Sequence, residues 1–459
     1  MAVSRYPAEW GTTVTKRPNF VFIFADDWGW GDLGCYGHAH IKTPNLDRLA
    51  KAGTIFSQFY VCSGVCSPSR AAVMTGRFPG RLGIHGHLAT HDANEARGMP
   101  DYLDPAVPTY TRALREVGYR TGHFGKWHLG RGEGAPEPTS YGIDAARVNS
   151  GNGPQLEFSR DNWAPGLRAR SSEFIVNHTI RFIEENRDEP FLVNVWLNDT
   201  HAILDPTEEQ LEPYTRFKPQ YVGDYHWGAP AVYFSVVSEA DRQVGRLMHR
   251  LDELGLTENT VVIFSADNGP EDILVRNASH SGVGSPGPFR GRKRSLYEGG
   301  IRTPFILHWP AGGARQGGVN DTTPLCGVDL LSTFCSLAEA EAPAELDGED
   351  MSDVFRGLRR DRRSPLLWEW RFEIVGHPLG KSPILAIRRG NWKLLFNPNR
   401  DRVELYDIPV DPMELNNVAA EHPDIVDRMA GQALAWQASL PEGPYDSGAG
   451  SNAYPWPQE

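Results

Sequence analysis

The chain has 459 residues, 40% of them hydrophobic and 23% charged, with a formal net charge of -12. That length suits two or three domains, or one large domain with a small appendage. The acidic balance excludes a general nucleic-acid binder, which needs a basic face, and no apolar run approaches the ~20 residues of a membrane helix.

In chain order, NFVFIFADD at 19–27 is an apolar run ending in two acids, which predicts a strand buried on both faces. Thr43-Pro44-Asn45 opens a helix whose Leu46, Leu49 and Ala50 share one face, with Gly53 as a stop. Helices are predicted at 108–117, 172–185 and 235–254, and strands at Pro190-FLVNVWL, 260–269 and 303–309. Strands alternating with helices predict an α/β fold with a large, mostly parallel sheet flanked by helices. Composition changes near residue 357 at the charged run GLRRDRRS. The short strand patterns LLWEW, ILAIRRG, WKLLF and VELYD follow, and then the helical pattern IVDRMAGQALAWQASL. This places a catalytic domain at 1–357 and a smaller α+β domain at 358–459, with a small antiparallel sheet and a closing helix. The stretch MAVSRYPAEWGTTVTKRPN carries no signal-peptide core. The chain as given therefore reads as cytoplasmic, or as periplasmic or secreted if a signal was removed.

Two strands end in oxygen ligands: Asp26 and Asp27 after the first, Asp267 and Asn268 after the 260–269 run. In open α/β sheets ligands bind outside the carboxyl ends of strands. Oxygen donors without sulfur or imidazole favour a hard cation such as Ca²⁺ or Mg²⁺. Ordinary turn-forming residues are the alternative. In GHFGKWHLG, Lys126 and His128 stand two apart, so an extended chain would turn both to one side, a cation beside a titratable imidazole. His201 follows another strand. Lys293 lies in the basic run FRGRKRSLYEGG, which is either a solvated face or an anion-binding loop. Trp28, Trp30, Trp127 and Trp227 offer surfaces for a sugar ring or fill the core. The irregular segment 148–163 is suited to shaping a pocket mouth.

The cysteines of CSGVCSPSR leave a disulfide, a metal site or a reactive residue open. Five cysteines are too few for a disulfide scaffold. No Cys or His pair completes a zinc site beside Cys62 and Cys66.

The segments FIFADDWGWGDLGCYG, CSPSRAAVMTGR, GYRTGHFGKWHLG, FSADNG and GRKRSLYEGGIRTP occur in this order over residues 18–310. Together they resemble the formylglycine-dependent type I sulfatases of the alkaline phosphatase superfamily, and VELYDIPVDPMELNNVA resembles their C-terminal domain. The resemblance implies that a maturation enzyme oxidises Cys66 to formylglycine; it assigns no role to Cys62, for which a structural thiol is the expectation. The hydrated aldehyde then attacks sulfur as a gem-diol, the alcohol leaves, and the second hydroxyl expels sulfate from a sulfated-enzyme intermediate. The resemblance also implies that Asp26, Asp27, Asp267 and Asn268 hold one Ca²⁺, with Mg²⁺ or Mn²⁺ as alternatives. Arg70 would steady the nucleophile, Lys126 and Lys293 would hold sulfate oxygens, His128 would be the base for sulfate release, and His201 the acid at the leaving oxygen. Around His201 the pattern departs from the family's Pro-His-x-Pro, reading Asp199-Thr200-His201-Ala202-Ile203.

The expected activity is hydrolysis of carbohydrate or aryl sulfates. A phosphonate or phosphate ester hydrolase of the same superfamily is the first rival, and a non-catalytic binder of sulfated glycans the second. The expected partners are a sulfated small molecule or carbohydrate and the maturation enzyme, with neither nucleic acid nor a membrane.

Overall fold

Asn19–Ala25 (β1) is buried along its whole length. Phe20, Phe22 and Phe24 enter one hydrophobic cluster and Val21, Ile23 and Ala25 another, because successive side chains of a strand point to opposite faces. The fully buried apolar residues from Phe20 to Phe24 contribute about 1.5–3 kcal/mol each. That sum is of the size needed to offset two acids buried at the strand's end, at several kcal/mol each.

The computed structural model describes residues 17–130, 134–149, 168–218, 228–313 and 316–453. Seven further strands join β1: Thr54–Phe56 (β2), Arg120–Lys126 (β3), Ala145–Asn149 (β4), Phe191–Trp196 (β5), Thr260–Ala266 (β6), Phe305–His308 (β7) and Gly318–Asn320 (β8). Their order across the eight-stranded sheet is β8-β2-β7-β6-β1-β5-β3-β4. Pairing is parallel among β6, β1, β5, β3 and β4 and between β8 and β2. Only β7 runs against its neighbours β6 and β2. The sheet is thus mixed and mostly parallel, as the sequence pattern predicts.

Helices Pro44–Ala52, Ser171–Glu185 and Ala229–Glu253 cover one face. Helices Cys66–Thr75, Tyr110–Glu116 and Asp329–Ala338 cover the other. The longest helix begins six residues before the expected 235, since Pro230 fits the first turn, where its missing N–H costs nothing. The expected strand 303–309 divides: Arg302–Thr303 joins a small three-stranded sheet and only Phe305–His308 joins the large one.

Towards the C-terminus, Leu366–Glu369 (β9), Leu385–Arg389 (β10), Trp392–Phe396 (β11) and Val403–Asp407 (β12) form a separate antiparallel sheet. The helix Pro423–Gln437 buries Met429, Ala430 and Ala433 against it. One hydrophobic cluster runs from Phe59 and Phe305 through to Trp368 and Leu394. Among the described residues no helix is long and apolar enough to cross a membrane.

Candidate active site

The in-register pairing of β1 with β6 sets Ala25 beside Ala266, so the residues that follow on both strands emerge together. The Asp27 N–H donates to Asp267 Oδ1 at 3.1 Å, and Asn268 Nδ2 donates to Asp27 Oδ1 at 2.7 Å. Two strands away, β3 delivers Lys126, whose Nζ lies 2.7 Å from Asp26 Oδ2. Lys293 Nζ lies 2.7 Å from Asp27 Oδ2 and 3.5 Å from Glu271 Oε2. The turn beyond β6 closes on the YEGG segment, where the Gly269 N–H donates to the Gly300 carbonyl. A Cβ on Gly269 would lie 2.0 Å from the Gly299 oxygen.

Cys66 is the first residue of the Cys66–Thr75 helix and is buried. Its Sγ and one oxygen each of Asp26 and Asp27 lie within 4.8 Å of one another. Arg70, one turn later on the same side of the helix, donates through Nε to Asp267 Oδ2 at 2.9 Å. Its guanidinium stacks over Trp196, 4.9 Å from the ring centroid. Helix N-terminus, acids and lysines therefore meet at one point.

His128 does not follow from strand alternation, because β3 ends at Lys126 and His128 has a left-handed φ of 54°. It is buried, with Nε2 3.0 Å from the Leu88 carbonyl. Asp27 and Arg294 are also left-handed, with φ of 59° and 77°. Such backbone costs non-glycine residues about 1–2 kcal/mol each and concentrates at functional sites. His201 follows β5, with Nδ1 3.1 Å from the Ala202 carbonyl. It lines a pocket of about 160 Å³ with Asp27, Cys66, His87, Glu271, Lys293 and Arg294. A larger cavity of about 270 Å³, lined by Gln58, Arg362 and Arg388, contains none of these groups.

Burial raises and crowding separates the acids. Asp267 is pushed up to about 6 by burial and by Asp26 and Asp27, against the pull of Arg70. At Asp26 burial acts the same way, but Lys126, His201, Arg70 and Lys293 outweigh it and hold the carboxyl well below its usual range. Burial pushes the Cys66 thiol up to about 11 despite Lys126 and Lys293, so an unmodified thiol here is a poor nucleophile near neutrality. Burial, then Lys126, lowers His128 well below its ordinary value and His201 to about 4.

The residues fit a divalent cation. Asp26 Oδ1 and Asn268 Oδ1 are buried and accept no hydrogen bond. Buried polar atoms of this kind are rare without a reason. Three acids around one point would also be relieved of their repulsion by a bound cation.

A family model described as Sulfatase matches residues 18–340, and one described as N-sulphoglucosamine sulphohydrolase, C-terminal, matches 289–437. The chain belongs to the sulfatase family. The chain is 33% identical to arylsulfatase A of Homo sapiens over 84% of its own length and 76% of that protein. It is 27% identical to N-acetylgalactosamine-6-O-sulfatase of Bacteroides thetaiotaomicron, over 90% and 91% of the two chains. The solved structure of Ps i-CgsB in complex with k-i-k-neocarrahexaose superposes with a TM-score of 0.76 at 26% identity, covering 95% and 97%. This sulfatase is accordingly a sulfuric ester hydrolase.

The structure decides between the alternatives left open elsewhere. Trp28 and Trp127 are core residues, packed on Phe264 and on His123 and Tyr141, and offer no stacking surface. Trp30 packs edge-on against Tyr36 and Phe289, and Trp227 lies outside the described residues. The segment 148–163 begins inside β4, and 150–163 lies outside the described residues. The basic run is not an anion loop as a whole. Arg290 and Arg292 bond backbone carbonyls, Arg294 pairs with Glu271, and Lys293 reaches the acids. Cys62 Sγ lies 3.4 Å from Cys326 Sγ, both buried as free thiols. Sequence reading missed His87, Glu271 and Arg294; the acid in DNGPE, two residues beyond Gly269, was the available signal for Glu271.

Proposed function

We propose that this sulfatase hydrolyses sulfate monoesters of carbohydrates or aryl alcohols at residue 66, with Asp26, Asp27, Asp267 and Asn268 holding one Ca²⁺. The observation that carries this reading is the convergence of two strand ends and a helix N-terminus on Cys66, between Lys126 and Lys293. An all-oxygen ligand set suits Ca²⁺, with Mg²⁺ or Mn²⁺ as alternatives. Formylglycine at position 66 supplies a hydrated aldehyde as nucleophile, and the cation supplies charge to polarise a sulfate oxygen.

The chain's own residues supply the rest. Lys126 and Lys293 hold the sulfate oxygens and oppose the negative charge that develops in the transition state, while the electron pair of the breaking S–O bond goes to the departing alcohol oxygen. Arg70 fixes Asp267 and the base of the helix. His128 is neutral, and its Nε2–H donates to the Leu88 carbonyl, so Nδ1 is the basic nitrogen that takes a proton during sulfate release. His201 gives a proton to the departing alcohol oxygen. Its low pKa is set by burial and the two lysines, and the negative charge of a bound sulfate ester acts in the opposite direction. Because Cys66, Ser67, Pro68, Ser69 and Arg70 are all buried, a formylglycine-generating enzyme must act before folding is complete. The carbohydrate reading draws on the N-acetylgalactosamine-6-O-sulfatase relative and the carrahexaose complex.

The test is peptide mass spectrometry across residue 66 on protein made with a maturation enzyme, followed by kcat/KM on matched aryl sulfate and aryl phosphonate. An aldehyde at 66 and faster sulfate hydrolysis are expected. An unmodified thiol in active protein, or a preference for the phosphonate, would overturn the reading.

A further inference from the structure

The backbone around His201 contains no proline between 199 and 203, so nothing covalent stiffens it. It is held by hydrogen bonds instead. Arg168 grips two of its carbonyls at once: Nη2 donates to the His201 oxygen at 2.5 Å and Nε to the Ile203 oxygen at 2.8 Å. Shortly after Arg168, Ser171 Oγ donates to Asp199 Oδ1 at 3.3 Å, and Ser172 Oγ bonds the same oxygen. On the other side, Thr200 Oγ1 donates to the Asp26 carbonyl, tying the loop to the end of β1. The carbonyls of residues 201 and 203 flank the peptide whose Ala202 oxygen accepts from His201 Nδ1. A planar guanidinium with fixed N–H directions is the side chain best able to hold two carbonyls in one geometry.

We propose that Arg168 is a positioning residue for His201, fixing the imidazole where the leaving alcohol oxygen needs its proton. This rests on the assignment of His201 as the acid. A misplacement of about 1 Å can cost on the order of 10²-fold. The loss falls on substrates whose leaving oxygen needs the proton and spares those whose oxygen departs as a stable anion.

The test compares phenyl sulfate with 4-nitrophenyl sulfate, whose phenolate leaves readily without protonation. Arg168→Ala, Arg168→Lys, His201→Ala and the Arg168→Ala/His201→Ala double variant are assayed in matured protein. For Arg168→Ala, kcat/KM on phenyl sulfate should fall about 30–100-fold, up to the lower limit of a full general-acid effect, and on 4-nitrophenyl sulfate by less than about 5-fold. Arg168→Lys, which keeps the charge but loses the fork, should recover only part of the loss. In the His201→Ala background, Arg168→Ala should add almost nothing.

Equal losses on both substrates, or additive losses in the double variant, would overturn the positioning role while leaving His201 as the acid. The positioning role would equally fall if neither Arg168 variant folded, since the arginine would then be structural. If His201→Ala itself showed no selectivity between the substrates, the acid assignment would fall and the proposal with it.

Discussion

Among the described residues two of the buried charge clusters invite comparison, and the reaction site we propose occupies only one of them. At the end of β1 and β6, Asp26, Asp27, Asp267, Arg70, Lys126 and Lys293 crowd beside Cys66. Against the C-terminal sheet, Lys393 Nζ sits 2.9 Å from Glu298 Oε1 and 2.8 Å from Glu414 Oε1. Tyr60 OH and Arg302 Nη1 bond Glu298 Oε2 at 2.7 and 3.1 Å. Both clusters are buried and both contain three or more opposed charges. The difference lies in what is left over. In the second cluster both Glu298 oxygens are engaged and Glu414 Oε1 has Lys393 Nζ at 2.8 Å, whereas in the first Asp26 Oδ1 has only the Arg70 guanidinium at 3.9 Å, Asn268 Oδ1 accepts nothing, and a pocket opens at the adjoining Asp27 and Cys66. Buried charge alone marks cohesion between parts of the fold. Buried oxygen left unmatched beside a pocket marks a site built for something else.

Substitutions can break this comparison. Cys66→Ala should lower kcat on an aryl sulfate by about 10⁴-fold or more, as loss of a nucleophile does, with a Tm close to wild type. A variant that turned over sulfate at near-normal rate would remove the first cluster's claim to be the site. Lys393→Ala should do the reverse. Leaving Glu298 and Glu414 buried without their cation should cost about 3–5 kcal/mol, read by urea unfolding, with kcat of the folded protein unchanged. A large drop in kcat would join the two clusters functionally.

Metal removal sharpens the contrast. Chelator should lower Tm, and Ca²⁺ should restore it; a ligand at 100 times its Kd adds about 2.7 kcal/mol. Asp267→Asn should blunt that response and Lys393→Ala should retain it. The smallest effect concerns pH. Burial raises Glu414 to about 7, against Lys393 and with Glu298, whereas Lys393 and the arginines hold Glu298 down at about 2 against its burial. A carboxyl whose folded pKa is raised contributes stability that is present below its unfolded pKa and lost as pH rises through the folded value. Stability relative to Glu414→Gln should therefore decline between about pH 4.5 and 7, measured by unfolding at each pH. A flat difference would show Glu414 to be ionised throughout.

The legible part of the site was the part written in contiguous runs. Strand-plus-acid patterns at 19–27 and 260–268 foretold both strands and set at their ends the residues we propose as ligands. Cys66 and Arg70 were found by resemblance, and only the structure set both on one side of a helix. His128 was found by resemblance, and alternation gave the wrong reason for it, because its left-handed backbone breaks the period of two. The second cluster was invisible, since Tyr60, Glu298, Arg302, Lys393 and Glu414 are scattered along the chain.

What the sequence determined by itself was the periodicity of the buried strands, the chemistry of the residues that end them, and the family. Local pattern carries these because side-chain direction and turn chemistry act over a few residues. Tertiary structure alone decided that Ala25 pairs with Ala266, that Lys126 reaches Asp26 across two strands, and that Arg168 holds the His201 loop. Those contacts join residues 33 to 241 positions apart. Their register is set by packing over the whole sheet, which no short window of sequence contains.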